Sequence, residues 1–485
     1  MGGDSDIPTS NGRMTPEQAA SRVSVSAVPH SRFMLWNLPL HSARTLRPCL
    51  RQPLSRWPNY SSAHNGLCPT KRFLTNSPSP IPSFREQVAR NIEIGSFSEQ
   101  VQRPSIRNQI FVSGLCSWVG AAGAEAVCWQ FFLAGSGLAF SYAAVKTNID
   151  TEKWQKSITA MSTIWSTRQP TTDEMRRTQN FALGARLQGW VNDLKDATEG
   201  WPIAIRNLIF VSYVSTANTY LSASEGRRLC WKICLLNAGV WVLWKVPRLS
   251  AAMRRSWTHH PLSGLSYTML TAVFSHQSFM HLLFNCMALA SFGAATSNFL
   301  SREQAHAESG LQESTTTWHF LAFFVSAGLF SSLVSHVAAT RILYPRMVAQ
   351  LTKASAATTV ASAFSKPALA AAARPLHDIL PSLGASGAIY AAVSLTALGF
   401  PDSEVSLIFL PGVLIPSQAA VGGLVCLDIV GVLRGWRMFD HYAHLGGALF
   451  GAVYWAWGPR FWDWMRVRLA RPEVAKGVQS GEKET

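Results

Sequence analysis

The sequence predicts an all-α polytopic membrane protein: a six-helix core, one extra transmembrane helix before it, and a disordered polar N-terminal extension. Three observations predict this class. Of 485 residues, 48% are hydrophobic and 14% charged. The mean hydropathy is +0.10, too low for a wholly embedded chain and high for a soluble one, so an apolar core must be joined to a polar segment. Finally, the formal net charge of +16 is unevenly placed, with thirteen Lys/Arg against six Asp/Glu in residues 1–107.

Residues 1–108 read as a targeting and disordered extension. Between Glu17 and Glu86 there is no acidic residue, while Arg22, Arg32, Arg44, Arg47, Arg51, Arg56, Lys71, Arg72 and Arg85 supply positive charge. Arginine-rich, serine-containing and acid-free is the composition of a mitochondrial transit peptide; a disordered basic tail is the alternative. The opening Met1 to Asp6 is acidic and fits such a signal badly, so the signal is expected to be read from nearer Met34. Asp6 also breaks the myristoylation pattern. No segment combines basic clusters with spaced aromatics in a soluble fold, which excludes nucleic-acid binding as a function class.

Residues 109–146 form the expected extra transmembrane region, with Val127 to Lys146 as its span and a glycine-interrupted apolar stretch, Ile110 to Ala126, before it. The polar connector 147–229 carries Trp154, Trp165, Trp190 and Trp201, the mark of an interfacial, partly helical segment. Its apolar patch Leu208 to Tyr220 is too short and hydroxyl-rich to span. The core, 230–460, holds six apolar segments: roughly 230–247, 280–295, 318–339, 384–400, 418–433 and 441–457. Several fall short of the ~20 residues a simple span needs, which suits a bundle that admits water partway into the membrane. The Ala/Ser/Pro-rich connector 341–383 reads as a loose surface loop, and 461–485 as a C-terminal tail. The eight cysteines form no CxxC pair, and Cys230 and Cys234, one turn apart, read as a shared helix face. No metal or cofactor is implied.

Intramembrane polar residues are costly and therefore functional candidates. Ser386 and His444 each sit fifteen residues before a proline, Pro401 and Pro459, on segments expected to run parallel. At about 1.5 Å per residue both lie roughly 22 Å above one membrane face, hence at matching depth. The second core helix offers His281 and Asn285 one turn apart on one face. Tyr390 lies one turn beyond Ser386, and Gly447 and Gly451 form a small-xxx-small ridge beyond His444. A hydroxyl meeting an imidazole inside a bilayer points to a nucleophile and its base, Ser386 attacking and His444 taking the proton. His281, Asn285 and Gly384, with free amides at the helix start, are the expected oxyanion-stabilising groups. Gly387, like Gly384, lets the substrate backbone approach. His276 and His441 are expected in loops or at the interface. Asp440 reads as biasing His444 or as helix-end solvation, and Asp428 as a helix–helix hydrogen-bond partner.

These residues resemble the rhomboid family, through Gly-Ala-Ser-Gly at 384–387, His-x-x-x-Asn at 281–285 and Phe-Asp-His-Tyr-Ala-His-Leu-Gly-Gly at 439–447. The wording looks most like the mitochondrial, presenilin-associated rhomboid-like branch. The resemblance implies an intramembrane serine protease with a Ser–His dyad and no third acid, in the mitochondrial inner membrane. It implies single-pass membrane substrates of the dynamin-like GTPase or cytochrome c peroxidase type, or mitochondrial kinases. The Trp-Arg pair of bacterial members' first long loop is not matched; this chain reads Met253-Arg254-Arg255-Ser256-Trp257. The rival reading within the family is a catalytically inactive escort protein, but such proteins lack the serine or the histidine. A small-solute transporter would need internal repeats, and none is found.

Overall fold

The computed structural model describes residues 107–161, 168–361, 379–407 and 410–470. The expected transit segment lies outside the described residues, as does the middle of the connector after residue 361.

The expected span Val127 to Lys146 is the middle of one long helix, α1 (Arg107–Met161). The polar connector continues as α2 (Thr172–Ala197) and α3 (Ile203–Ser222). α2 opens with a capping box, in which Thr171 and Glu174 each satisfy the other's backbone N–H. The core follows as α4 (Glu225–Trp244), a short α5 (Ser250–Ser256), α6 (Phe279–Ala305), α7 (Thr317–Ala338), α8 (Tyr344–Ala361), α9 (Ser386–Gly399), α10 (Ser417–Arg434) and α11 (His441–Arg468). The six expected core segments each coincide with one of α4, α6, α7, α9, α10 and α11.

Among the described residues, four helical stretches are, by length and composition, apolar and long enough to cross a membrane: Glu125–Met161, Phe279–Ala305, Thr317–Thr352 and Ser417–Arg434. A fifth is obtained if α4 and α5, bent by 94° at Pro247, count as one. α9, with 14 residues, is shorter than a span. α11 carries histidines, glycines and tryptophans that lower its hydropathy.

The segment after Ala338 corrects the sequence reading. In place of a loose loop, the chain continues through a π turn (Ala339–Leu343) into α8. Alanine, taken as loop composition, is the strongest helix former. A second addition is a hairpin of β1 (Glu404–Leu407) and β2 (Leu410–Pro416), paired antiparallel between α9 and α10. Its base is closed by a 2.8 Å hydrogen bond from Ser403 to Ser417.

α7 is the central post. It is buried on all sides, including Phe320, Phe323, Phe324, Ser326, Ser331, Ser335 and His336, the pattern of a helix with no free face. α9 packs between α7 and α11, burying Ala388, Ala391, Ala392 and Leu395. Between helices in lipid the attraction comes from close packing rather than from escape from water, so small residues govern the approach. α1 lies against α7 and α11 through Phe140, Ala143 and Ala144. Its polar end is fastened to α11, where Arg466 Nε donates to Asn148 Oδ1 at 3.0 Å and Asn148 Nδ2 donates to the Arg466 carbonyl at 3.0 Å.

Candidate active site

α9 begins at Ser386, so the serine occupies the first helical position, where backbone N–H groups have no carbonyl one turn back. The chain reaches it through Gly384 at φ +125°, a conformation that side chains rarely adopt. A Cβ there would also meet the His281 ring, 2.7 Å from Cε1. Glycine is therefore required twice over, for its dihedral and for its missing side chain. The Gly384 N–H is committed to the Ala272 carbonyl at 2.9 Å. The expected oxyanion role of Gly384 is thus not one of donation; what it supplies is space beside His281.

Ser386 Oγ lies 2.9 Å from His444 Nε2. Two backbone contacts set this distance. A Cβ at Gly447 would run into the Gly387 carbonyl oxygen, and one at Gly451 into the Ala391 carbonyl oxygen. The pairs Ser386/His444, Gly387/Gly447 and Ala391/Gly451 advance in the same sense along both helices, so α9 and α11 run parallel as expected. Gly387 makes room on its other side for Ser331 of α7. Tyr390 stacks on the His444 ring, 4.3 Å between centroids and 10° from parallel, and so fixes the plane of the imidazole.

The second core helix brings His281 and Asn285 to the same region, although Asn285 Nδ2 donates to the His281 carbonyl at 2.8 Å rather than toward the serine. His276, expected in a loop or at the interface, is in a loop but wholly buried. Its Nε2 accepts from the Ala385 N–H at 3.3 Å, and its ring lies edge-on to His281 at 5.0 Å. Burial pushes the His276 imidazole down to about 4, so it sits there neutral and able to accept.

The segment after α5 braces this approach from the side. His259 and Ser382 exchange backbone hydrogen bonds of 2.9 Å, which ties the first long loop to the strand-like stretch leading into Gly384. The His259 ring reaches Thr268 at 2.8 Å and His336 at 3.1 Å. Burial, with His336 adjacent, pushes it down to about 3.

Three further side chains stand behind His444, namely Asp440, His441 and Asp428. Asp440 caps α11, Oδ1 accepting from the Ala443 N–H at 3.0 Å and Oδ2 from Ser335 Oγ at 2.6 Å. It is a helix cap, and its carboxylate is occupied. His441 is buried, contrary to the expectation of a loop or interfacial position. Its Nδ1 lies 2.6 Å from Asp428 Oδ1, and the same oxygen lies 3.2 Å from His444 Nδ1. The sequence signal was present in both cases: a carboxylate within an apolar span, and a second histidine one turn before the first.

An apolar helical bundle with a serine hydrogen-bonded to an imidazole at the joint of two parallel helices defines a polytopic membrane protein with an internal polar site. A rhomboid domain model matches residues 263–460, which takes in α6 through most of α11. The chain is 33% identical over 266 residues to the presenilin-associated rhomboid-like protein, mitochondrial, of Mus musculus, covering 53% of this chain and 58% of that one. It is 32% identical over 310 residues to the Homo sapiens protein of the same name, covering 62% and 68%. Rhomboid protein 1, mitochondrial, of Saccharomyces cerevisiae is 24% identical over 235 residues. The match thus spans 58% of the mouse relative's own length, and no solved structure gives a significant match. The chain belongs to the rhomboid family.

Proposed function

We propose that this protein is an intramembrane serine endopeptidase of the mitochondrial inner membrane, cutting transmembrane segments of membrane-anchored proteins. The observation that carries the reading is the 2.9 Å contact between Ser386 Oγ and His444 Nε2, within the 2.6–3.2 Å reach required of a nucleophile and its base. The inner-membrane location rests on the mitochondrial names of the relatives and on the several apolar helices. By the resemblance, substrates are single-pass proteins of the dynamin-like GTPase or cytochrome c peroxidase type.

In this reading Ser386 Oγ attacks the scissile carbonyl carbon while His444 Nε2 takes the hydroxyl proton. First-turn amides of α9, with His281 and Asn285, face the oxyanion that develops. When the C–N bond breaks, His444 passes its proton to the leaving amine and an acyl ester remains on Ser386. A water, deprotonated by the same Nε2, then attacks the ester and restores the serine.

The test is a fluorophosphonate label on purified protein in proteoliposomes, together with cleavage of a reporter transmembrane segment. Wild-type protein is expected to label and to cleave, and Ser386→Ala to do neither. Full cleavage by Ser386→Ala would overturn the reading, and a folded wild-type protein that never labels would favour the escort alternative.

A further inference from the structure

α10 is mostly an outward-facing helix, with Leu424, Leu427, Ile429, Val430 and Leu433 all exposed on the bundle. Three of its residues are buried: Ser417, Asp428 and Gly431. Ser417 closes the hairpin at one end, so the inward-facing part is a carboxylate and a glycine one turn later. The glycine seats His441, whose ring a Cβ at position 431 would strike. The carboxylate, 2% exposed, meets two imidazoles through one oxygen. Buried charge inside a membrane is costly unless it is paired, so packing alone does not account for Asp428.

We propose that Asp428 is a positioning residue of the proteolytic site, a carboxylate that holds His444 by Nδ1 so that Nε2 faces Ser386 as an acceptor. This rests on the proteolytic reading above and departs from the two-membered arrangement that the family resemblance implies. A carboxylate only accepts hydrogen bonds, so Nδ1 of His444 and of His441 must both carry protons. That fixes the tautomer of His444, leaving the Nε2 lone pair toward the serine hydroxyl. Asp428 also offsets the positive charge on the imidazole once it has taken the serine's proton. His441 shares the same oxygen at 2.6 Å and holds the carboxylate in place. No proton leaves Asp428 at any step.

The decisive variant is Asp428→Asn, which keeps the shape but turns an amide N–H₂ or its carbonyl toward Nδ1 and removes the charge. In proteoliposomes kcat is expected to fall by about 10²–10⁴-fold, with KM within about threefold of wild type. The acid limb of the kcat/KM profile should move to lower pH, because the protonated imidazole has lost its counter-charge. Asp428→Glu, which restores the charge, should recover part of the lost kcat. A purely structural tie between α10 and α11 would lower the thermal midpoint in both variants and leave the acid limb where it was; that result overturns the proposal. So does a folded Asp428→Asn enzyme with wild-type kcat. If Asp428→Asn does not accumulate as folded protein, Asp428→Ser carries the same comparison. An inactive, unlabelled wild type would instead remove the proteolytic reading itself, which separates the two failures.

Discussion

Asn285 makes its side-chain hydrogen bond within its own helix. Its amide is turned back on the His281 carbonyl one helical turn away, and on the proposed reading it must swing toward the oxyanion as the acyl intermediate forms. Removing one oxyanion donor typically costs about 2.7–4 kcal/mol in the transition state. Asn285→Ala is therefore expected to lower kcat by about 10²–10³-fold with KM little changed, measured by steady-state cleavage in proteoliposomes; an unchanged kcat would exclude Asn285 from that role. At this scale the sequence was most informative where chemistry and spacing coincide. Ser386 and His444 are legible from two apolar segments that each meet a proline fifteen residues on, although α11 itself runs through Pro459 to Arg468, and Gly447 and Gly451 from their four-residue interval. His276 and the pairing of Asp428 with two histidines were not, because their partners come from other helices and leave no local pattern. What the sequence did offer at Asp428 was an expensive residue in an apolar span, and no means of saying which neighbour it faced.

The element that sets the geometry is the parallel pair α9 and α11. Their contact is made main chain to main chain, with α7 filling the third side through Ser331 and Val334, the latter against Gly446. A methyl group on Gly447 meets a carbonyl oxygen that belongs to the first turn of α9 and cannot move away without carrying Ser386 with it. Overpacking of this kind costs about 1–3 kcal/mol in soluble cores. Gly447→Ala is expected to lower the thermal midpoint and to reduce cleavage more than 100-fold, while Ala448→Gly on the next position should change activity far less. The helices themselves were largely readable as apolar segments. Their ends were not: α1 and α8 both run on through polar or Ala-rich sequence, because alanine, lysine and glutamate favour helix regardless of whether lipid or water surrounds it.

Across the whole molecule, the loop between α6 and α7 gathers charge from three helices opposite the joint of α9 and α11. Glu313 is buried there and neither of its oxygens has a hydrogen-bond partner, while Arg466 of α11, Arg176 of α2 and Glu225 of α4 lie around it. Burial pushes the Glu313 carboxyl from 4.5 up to about 7, against the pull of the two arginines. Between those values the unfolded chain has released the proton and the folded protein still holds it. The contribution to stability is therefore complete below about pH 4.5 and is lost as pH rises through about 7, by roughly 3 kcal/mol. Glu313→Gln should remove the larger part of that decline, read as thermal midpoints in detergent between pH 5 and pH 7.5; an unaltered slope would show that other groups cause it. The contact of Gly447 with Gly387 has one more implication. A hinge whose two leaves are both peptide backbone offers no side chain that could lengthen or shorten it, so Ser386 Oγ and His444 Nε2 are held at one fixed interval. On the proteolytic reading, control then falls on the delivery of water and of an unwound substrate strand, and not on the gap between the reacting atoms.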